Sequence, residues 1–214
     1  MIQLDIYSDP ICPWCYIGNI HVDRALENLN ENPFRIKWHP FQLNPKMPKN
    51  GMNRKKYLEQ KFGSISGIAS AYRPVIEHTK NFDIDLKLDK IQTTPNTMNA
   101  HRIIHWAALE DCQNQIVSEL FKAYFVNGLD LGENTVLAKL ASKYFMNEKS
   151  ILRLLNSDND LSKIIDNDRT ARRMGIKAVP MFIVAEQYAV SGAQTADLWQ
   201  TVVKDIQESL SIGK

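Results

Sequence analysis

Only three of the 214 residues are cysteine. That is too few for a disulfide-stapled scaffold of the kind small secreted domains build. Long apolar runs are missing as well: nothing approaches the roughly 18 consecutive apolar residues that cross a bilayer. The opening Met1-Ile2-Gln3-Leu4-Asp5-Ile6 has neither the basic stretch nor the continuous apolar stretch of a secretory signal. A cytoplasmic location is therefore expected. Charge of one sign is also lacking, since 26 Lys and Arg against 24 Asp and Glu leave a formal net charge of +2. The sequence pI near 8.3 falls short of a basic nucleic-acid domain. Neither a nucleic-acid partner nor a membrane surface is implied. Internal repeats and low-complexity segments are absent too.

What remains is ordinary globular material, 44% hydrophobic and 23% charged, long enough for one large domain or a domain with a sizeable insertion. Ile2, Leu4 and Ile6 alternate and predict a strand over 2–8. Pro13 suits the first turn of a helix. Apolar positions Val22, Ala25, Leu26 and Leu29 carry that helix from Tyr16 to Asn30. Phe34 to His39 alternates again, which completes a β–α–β unit within 45 residues.

From about 46 to 173 the pattern is mostly helical. Helices are predicted over 53–62, 66–80, 114–126, 134–146, 148–156 and 160–174, the last ended by Gly175. Another is predicted to start at Thr94-Pro95 and run to about Asp111, and 82–88 reads as extended. After Gly175, Val179–Val184 and Tyr188–Val190 read as a hairpin. A last helix follows, with Leu198, Val202, Ile206 and Leu210 on one face. The two ends together make one four-stranded mixed sheet with helices on both faces. The domain expectation is a discontinuous α/β unit, 1–45 with 174–214, interrupted by a helical insertion over 46–173.

Chemistry concentrates in Cys12-Pro13-Trp14-Cys15, at the junction of the first strand and helix. A structural zinc site needs four ligands. The remaining cysteine, Cys112, reads as mid-helix, and His21, His39, His78, His101 and His105 supply no paired motif with it. Two inert core cysteines are the bland alternative, because a free thiol packs as a small hydrophobe. The third reading is a redox dithiol, in which unpaired N–H groups at the helix start stabilise a thiolate. In that reading Cys12 is the solvent-exposed nucleophile and Cys15, one turn deeper, the resolving thiol.

Val179-Pro180 opens a strand. Its bland reading is a trans proline at a strand start. Its functional reading is a cis-proline loop beside the cysteines, which leaves Val179 N–H and C=O to pair with a bound peptide or glutathione.

Several blocks resemble the DsbA-like thioredoxin-fold family, in its FrnE-type branch. They are Ser8-Asp9-Pro10-Ile11-Cys12-Pro13-Trp14-Cys15-Tyr16-Ile17-Gly18, Trp38 to Pro45, Asn96-Thr97 with Ala100-His101-Arg102, Gly175 to Phe182, and Ser191-Gly192-Ala193-Gln194. The resemblance implies a thioredoxin fold with a helical insertion, nucleophilic Cys12, resolving Cys15 and cis Pro180. It also implies a thiol or disulfide substrate, protein or small molecule. Relatives include 2-hydroxychromene-2-carboxylate isomerases and kappa-class glutathione transferases, which carry serine in place of the first cysteine. Keeping both cysteines favours redox chemistry over a glutathione-dependent isomerase or transferase, or over a non-enzymatic redox-sensing or binding module.

No metal or nucleotide cofactor is implied, and glutathione is a plausible co-substrate. The sequence sets no oligomeric state and leaves a dimer open. Pro13 and Trp14 flank the thiol and belong to the expected substrate surface. His101, with Asn96 and Arg102 nearby, is either a proton shuttle or carboxylate ligand facing the groove, or part of a capping and packing cluster. Asp9 is either a proton relay to Cys15 or a turn former. Ser191 and Gln194 either bind glutathione or cap the last helix.

Overall fold

The computed structural model describes residues 1–27, 29 and 32–212. Strands β1 (Ile2–Ser8) and β2 (Phe34–Pro40) lie parallel, joined by helix α1 (Pro13–Leu26). Strands β5 (Met181–Val184) and β6 (Tyr188–Ser191) complete a four-stranded sheet in the order β2-β1-β5-β6. β1 is the pivot: it runs parallel to β2 with Ile6 opposite Trp38, and antiparallel to β5 with Ile6 opposite Phe182. A central strand is covered from both sides, so Leu4, Ile6 and even Tyr7 are buried.

Helix α9 (Ala196–Ile212) packs against α1, and its Trp199 meets the rings of Phe34 and Phe182. The Leu210 side chain expected on that face lies outside the described residues, as does the expected end of α1 at Asn30. Gly18 lets α1 close onto β5. A Cβ there would sit 3.2 Å from the Phe182 ring and 3.3 Å from Pro180 Cγ.

Between the two halves of the sheet lie α2 (Arg54–Phe62), α3 (Ile65–Asn81), α4 (Met98–Leu109), α5 (Gln113–Phe125), α6 (Asn134–Ala141), α7 (Glu148–Leu155) and α8 (Leu161–Arg173). Side-chain caps start several of them: Asn53 Oδ1 accepts from Lys56 N, Ser64 Oγ from Gly67 N and Asn147 Oδ1 from Ser150 N. Gly175 follows α8 at φ +89°, the left-handed residue that ends a helix.

Two sequence expectations are corrected here. Thr94-Pro95 does not start α4. Thr93–Thr94 forms a short strand (β4) paired with Met52–Asn53 (β3), and α4 starts three residues later. Cys112 is not mid-helix but precedes α5, where its backbone accepts from Ile116 N. Residues 84–87 carry no regular element, and a single 3₁₀ turn spans Leu88–Lys90.

Candidate active site

Cys12 is the N-cap of α1, with extended backbone at φ −85° and ψ 115°. Pro13 at the first helical position has no N–H to satisfy, and Cys15 N–H is shared between Cys12 O at 3.1 Å and Cys12 Sγ at 3.3 Å. The Cys12 sulfur thus stands at the positive end of the helix. From the other side Cys12 Sγ donates to Val179 O at 3.6 Å. The Val179–Pro180 bond is cis, and Pro180 O accepts from Gly192 N at 2.9 Å, which ties this loop to the turn after β6.

All three cysteines are free thiols. Cys12 is only 3% exposed, which corrects the expected solvent-exposed nucleophile: the Val179 carbonyl covers the face the helix leaves open. Cys15 is buried deeper. Burial pushes its thiol well above the ordinary value, and the neighbouring Cys12 adds to the shift. The pair is therefore asymmetric, with a helix-capping sulfur and a protonated partner behind it.

Beneath the pair lies a buried polar layer. Asp9 is fully buried, its Oδ1 accepting from Ile11 N and its Oδ2 from Leu43 N and Thr97 Oγ1. Those donors lower its pKa, but burial outweighs them and lifts it to about 7. The chain of contacts continues from Thr97 to Gln42 Nε2, then from Gln42 N to Asp168, which Arg172 holds in an ion pair. Ser8 Oγ, beside the Cys15 sulfur, and His101 Nε2 border one small cavity, and His101 Nε2 has no hydrogen-bond partner among the described residues.

The sequence matches the DSBA-like thioredoxin domain over residues 3–204. The chain belongs to that family. The uncharacterised protein YwbO of Bacillus subtilis (strain 168) is 23% identical, over 97% of this chain and 98% of that one. Among solved structures, a probable DsbA oxidoreductase from Streptomyces coelicolor superposes with a TM-score of 0.82 at 20% identity, covering 96% of this chain and 89% of that one. The cytosolic disulfide reductase DsbM from Pseudomonas aeruginosa, solved with GSH, superposes at 0.64 with 15% identity, covering 96% and 99%. At these identities the superpositions carry the fold, and family membership rests on the domain match.

Within this DSBA-like domain the sequence-derived residues separate into two sets. Asp9, Cys12, Pro13, Cys15, Val179 and Pro180 come together around the two sulfurs. Trp14 stands at their edge, its ring against His78 of α3 at 5.7 Å. The second set is structural or remote. His101 is 3% exposed and does not reach the surface, and burial pushes it down to about 4, so it is neutral at pH 7.

Arg102 is wrapped in the backbone carbonyls of Leu154, Leu155, Ser157 and Asn159. Asn96 ties Met47 O to Met98 N. Gln194 Nε2 closes a turn onto Ser191 O, and α9 is capped by Thr195, whose Oγ1 accepts from Leu198 N, rather than by Ser191 or Gln194. Sequence reasoning missed Ser8, Thr97 and Gln42 in the polar layer. Each sat inside a quoted block, but none carries a chemical signature until the fold stacks it on Asp9.

Proposed function

We propose that the protein is a thiol–disulfide oxidoreductase in which Cys12 is the nucleophile and Cys15 the resolving thiol. The observation that carries this reading is the Cys12 sulfur itself, capping α1, accepting Cys15 N–H at 3.3 Å and lying 3.6 Å from Val179 O. In the reducing direction the Cys12 thiolate bonds to one substrate sulfur, and the other leaves as a thiolate that takes a proton from solvent. Cys15 then gives up its proton and attacks Cys12 Sγ, releasing the first substrate sulfur. The substrate disulfide gains two electrons and Cys12–Cys15 loses them. The reverse sequence oxidises a dithiol. Asp9 is the proton acceptor for Cys15, a role suited to a carboxyl near 7 behind a thiol held protonated.

The substrate is a thiol or disulfide, and glutathione is a co-substrate able to reduce the pair by two sequential thiol exchanges. The location is cytoplasmic; no described helix is long and apolar enough to cross a membrane. Residues 1–45 and 174–214 carry the chemistry, and 46–173 set the choice of substrate.

Insulin reduction and dithiol oxidation test the reading. Cys12→Ser should abolish both, at least a hundredfold. Cys15→Ser should accumulate a mixed disulfide visible by mass. Full activity without Cys15 would point to glutathione-dependent transfer or isomerisation instead. No thiol turnover in the unmodified protein would point to a binding module.

A further inference from the structure

Beside the cysteines, Ile11 and Pro13 wall a pocket of about 50 Å³, closed by α2, α3 and the β3–β4 pair. Arg54 lies on its floor, 9% exposed. Among the described residues it has no carboxylate partner. Its terminal nitrogens donate to Tyr124 Oη at 3.3 Å and Tyr72 Oη at 3.0 Å, and the guanidinium sits over the Tyr72 ring. Neither partner is a carboxylate. Burial pushes the Tyr124 phenol up, and its own proton goes to Thr93 O. Two hydrogen bonds leave the rest of the guanidinium fork unused.

A buried cation without a counter-charge is costly, and the usual remedy is an anion close by. The pocket supplies further donors and no acid. Asn44 Nδ2 is buried without a partner while Asn44 Oδ1 accepts from Tyr57. Thr94, 1% exposed, places its hydroxyl beside Tyr124. Lys61 stands at the rim, its Nζ on Tyr57 Oη at 2.8 Å. No described Asp or Glu lines the pocket. Asp9, close enough to act on Tyr124, spends both oxygens on Ile11, Leu43 and Thr97.

We infer that this pocket binds a carboxylate of the disulfide that Cys12 attacks, or of the thiol that attacks the Cys12–Cys15 disulfide in reverse, with Arg54 as its buried clamp and Lys61 at its mouth. The inference rests on the redox reading of the Cys12–Cys15 pair and adds a substrate class to it. A planar carboxylate matches the free edge of a guanidinium. The volume is well below that of pockets that enclose a whole ligand, which suits a single carboxylate at the end of one substrate arm rather than a cofactor.

The test compares 3,3′-dithiodipropionate, acidic on both arms, with uncharged 2-hydroxyethyl disulfide at equal ionic strength, reading the rate of attack by the reduced protein. A wild-type preference for the diacid should fall about tenfold in Arg54→Gln, equivalent to about 1.4 kcal/mol. It should fall several-fold in Lys61→Gln, whose exposed side chain puts folding at no risk. Attack on 2-hydroxyethyl disulfide should stay within twofold. A peptide disulfide bearing Glu or Gln beside its cystine separates the sources: a Glu preference marks a peptide acid, a diacid preference alone marks a small thiol, and no preference in either overturns the inference. Thermal stabilisation by glutarate, lost in Lys61→Gln, reads the pocket without turnover. If neither disulfide is attacked the redox reading falls while glutarate still decides the pocket, and no glutarate effect on the wild type overturns the pocket.

Discussion

Asp9 shows how one residue changes meaning between letters and fold. In the sequence it is an acid before a proline, equally a turn former or a relay. In the fold it is both, since its oxygens hold Ile11 N and Leu43 N while burial keeps a proton on it up to about pH 7. The raised pKa has a cost with a definite sign. Between its ordinary value of 3.8 and about 7 the folded state keeps the proton and the unfolded state gives it up, so stability from this group is present in acid and lost as pH rises through 7. The difference amounts to about 4 kcal/mol at full ionisation. Asp9→Asn should therefore gain on the wild type by about that much between pH 4 and pH 8 in urea denaturation, less a constant offset for the amide that faces Leu43 N. A difference that does not vary with pH would exclude the buried, protonated carboxyl.

At the scale of elements, the sequence located helices well and misjudged what holds them. His101 and Arg102 stood out as a pair of chemical interest, yet Arg102 works as a clamp between α4 and the segment after α7. Its Nη2 donates to Leu154 O at 2.6 Å and Ser157 O at 2.9 Å, its Nε to Asn159 O at 2.9 Å, and Trp106 covers it. A cation at a helix C-terminus satisfies carbonyls that have no partner within the helix. Arg102→Met should cost about 3 kcal/mol or more through stranded carbonyls. Amide exchange should accelerate first at α7 and the start of α8, while the Cys12 reaction in the folded protein is unchanged. A specific loss of thiol exchange at full stability would instead return Arg102 to the site. The β3–β4 pair was illegible because two residues per strand show no period. Yet that pair closes the Arg54 pocket, as Arg54 N donates to Gln92 O beside it.

For the whole molecule, pH response comes from groups on opposite sides of the balance. His21 and His101 are pushed down to about 4 by burial, so below their ordinary value of 6.5 the unfolded chain takes up protons that the folded one refuses. Their stabilising neutrality is complete above pH 6.5 and is lost on acidification, against the trend set by Asp9. His101→Gln should therefore lose about 3 kcal/mol less than the wild type between pH 6.5 and pH 4. Parallel curves for the two proteins would show that His101 titrates normally.

The order β–α–β, helices, β–β–α was legible from period alone, because strand and helix repeats differ and glycine and proline mark their ends. The Cys12–Cys15 spacing was legible for the same local reason: three residues apart at a helix start is a short-range property. Tertiary structure alone decided that Cys12 is covered by Val179, that Asp9 is buried under Thr97 and Gln42, that His101 is sealed inside, and that Arg54 faces a pocket of donors. Each of these depends on burial and on partners dozens of residues away, and neither is encoded in any window of sequence.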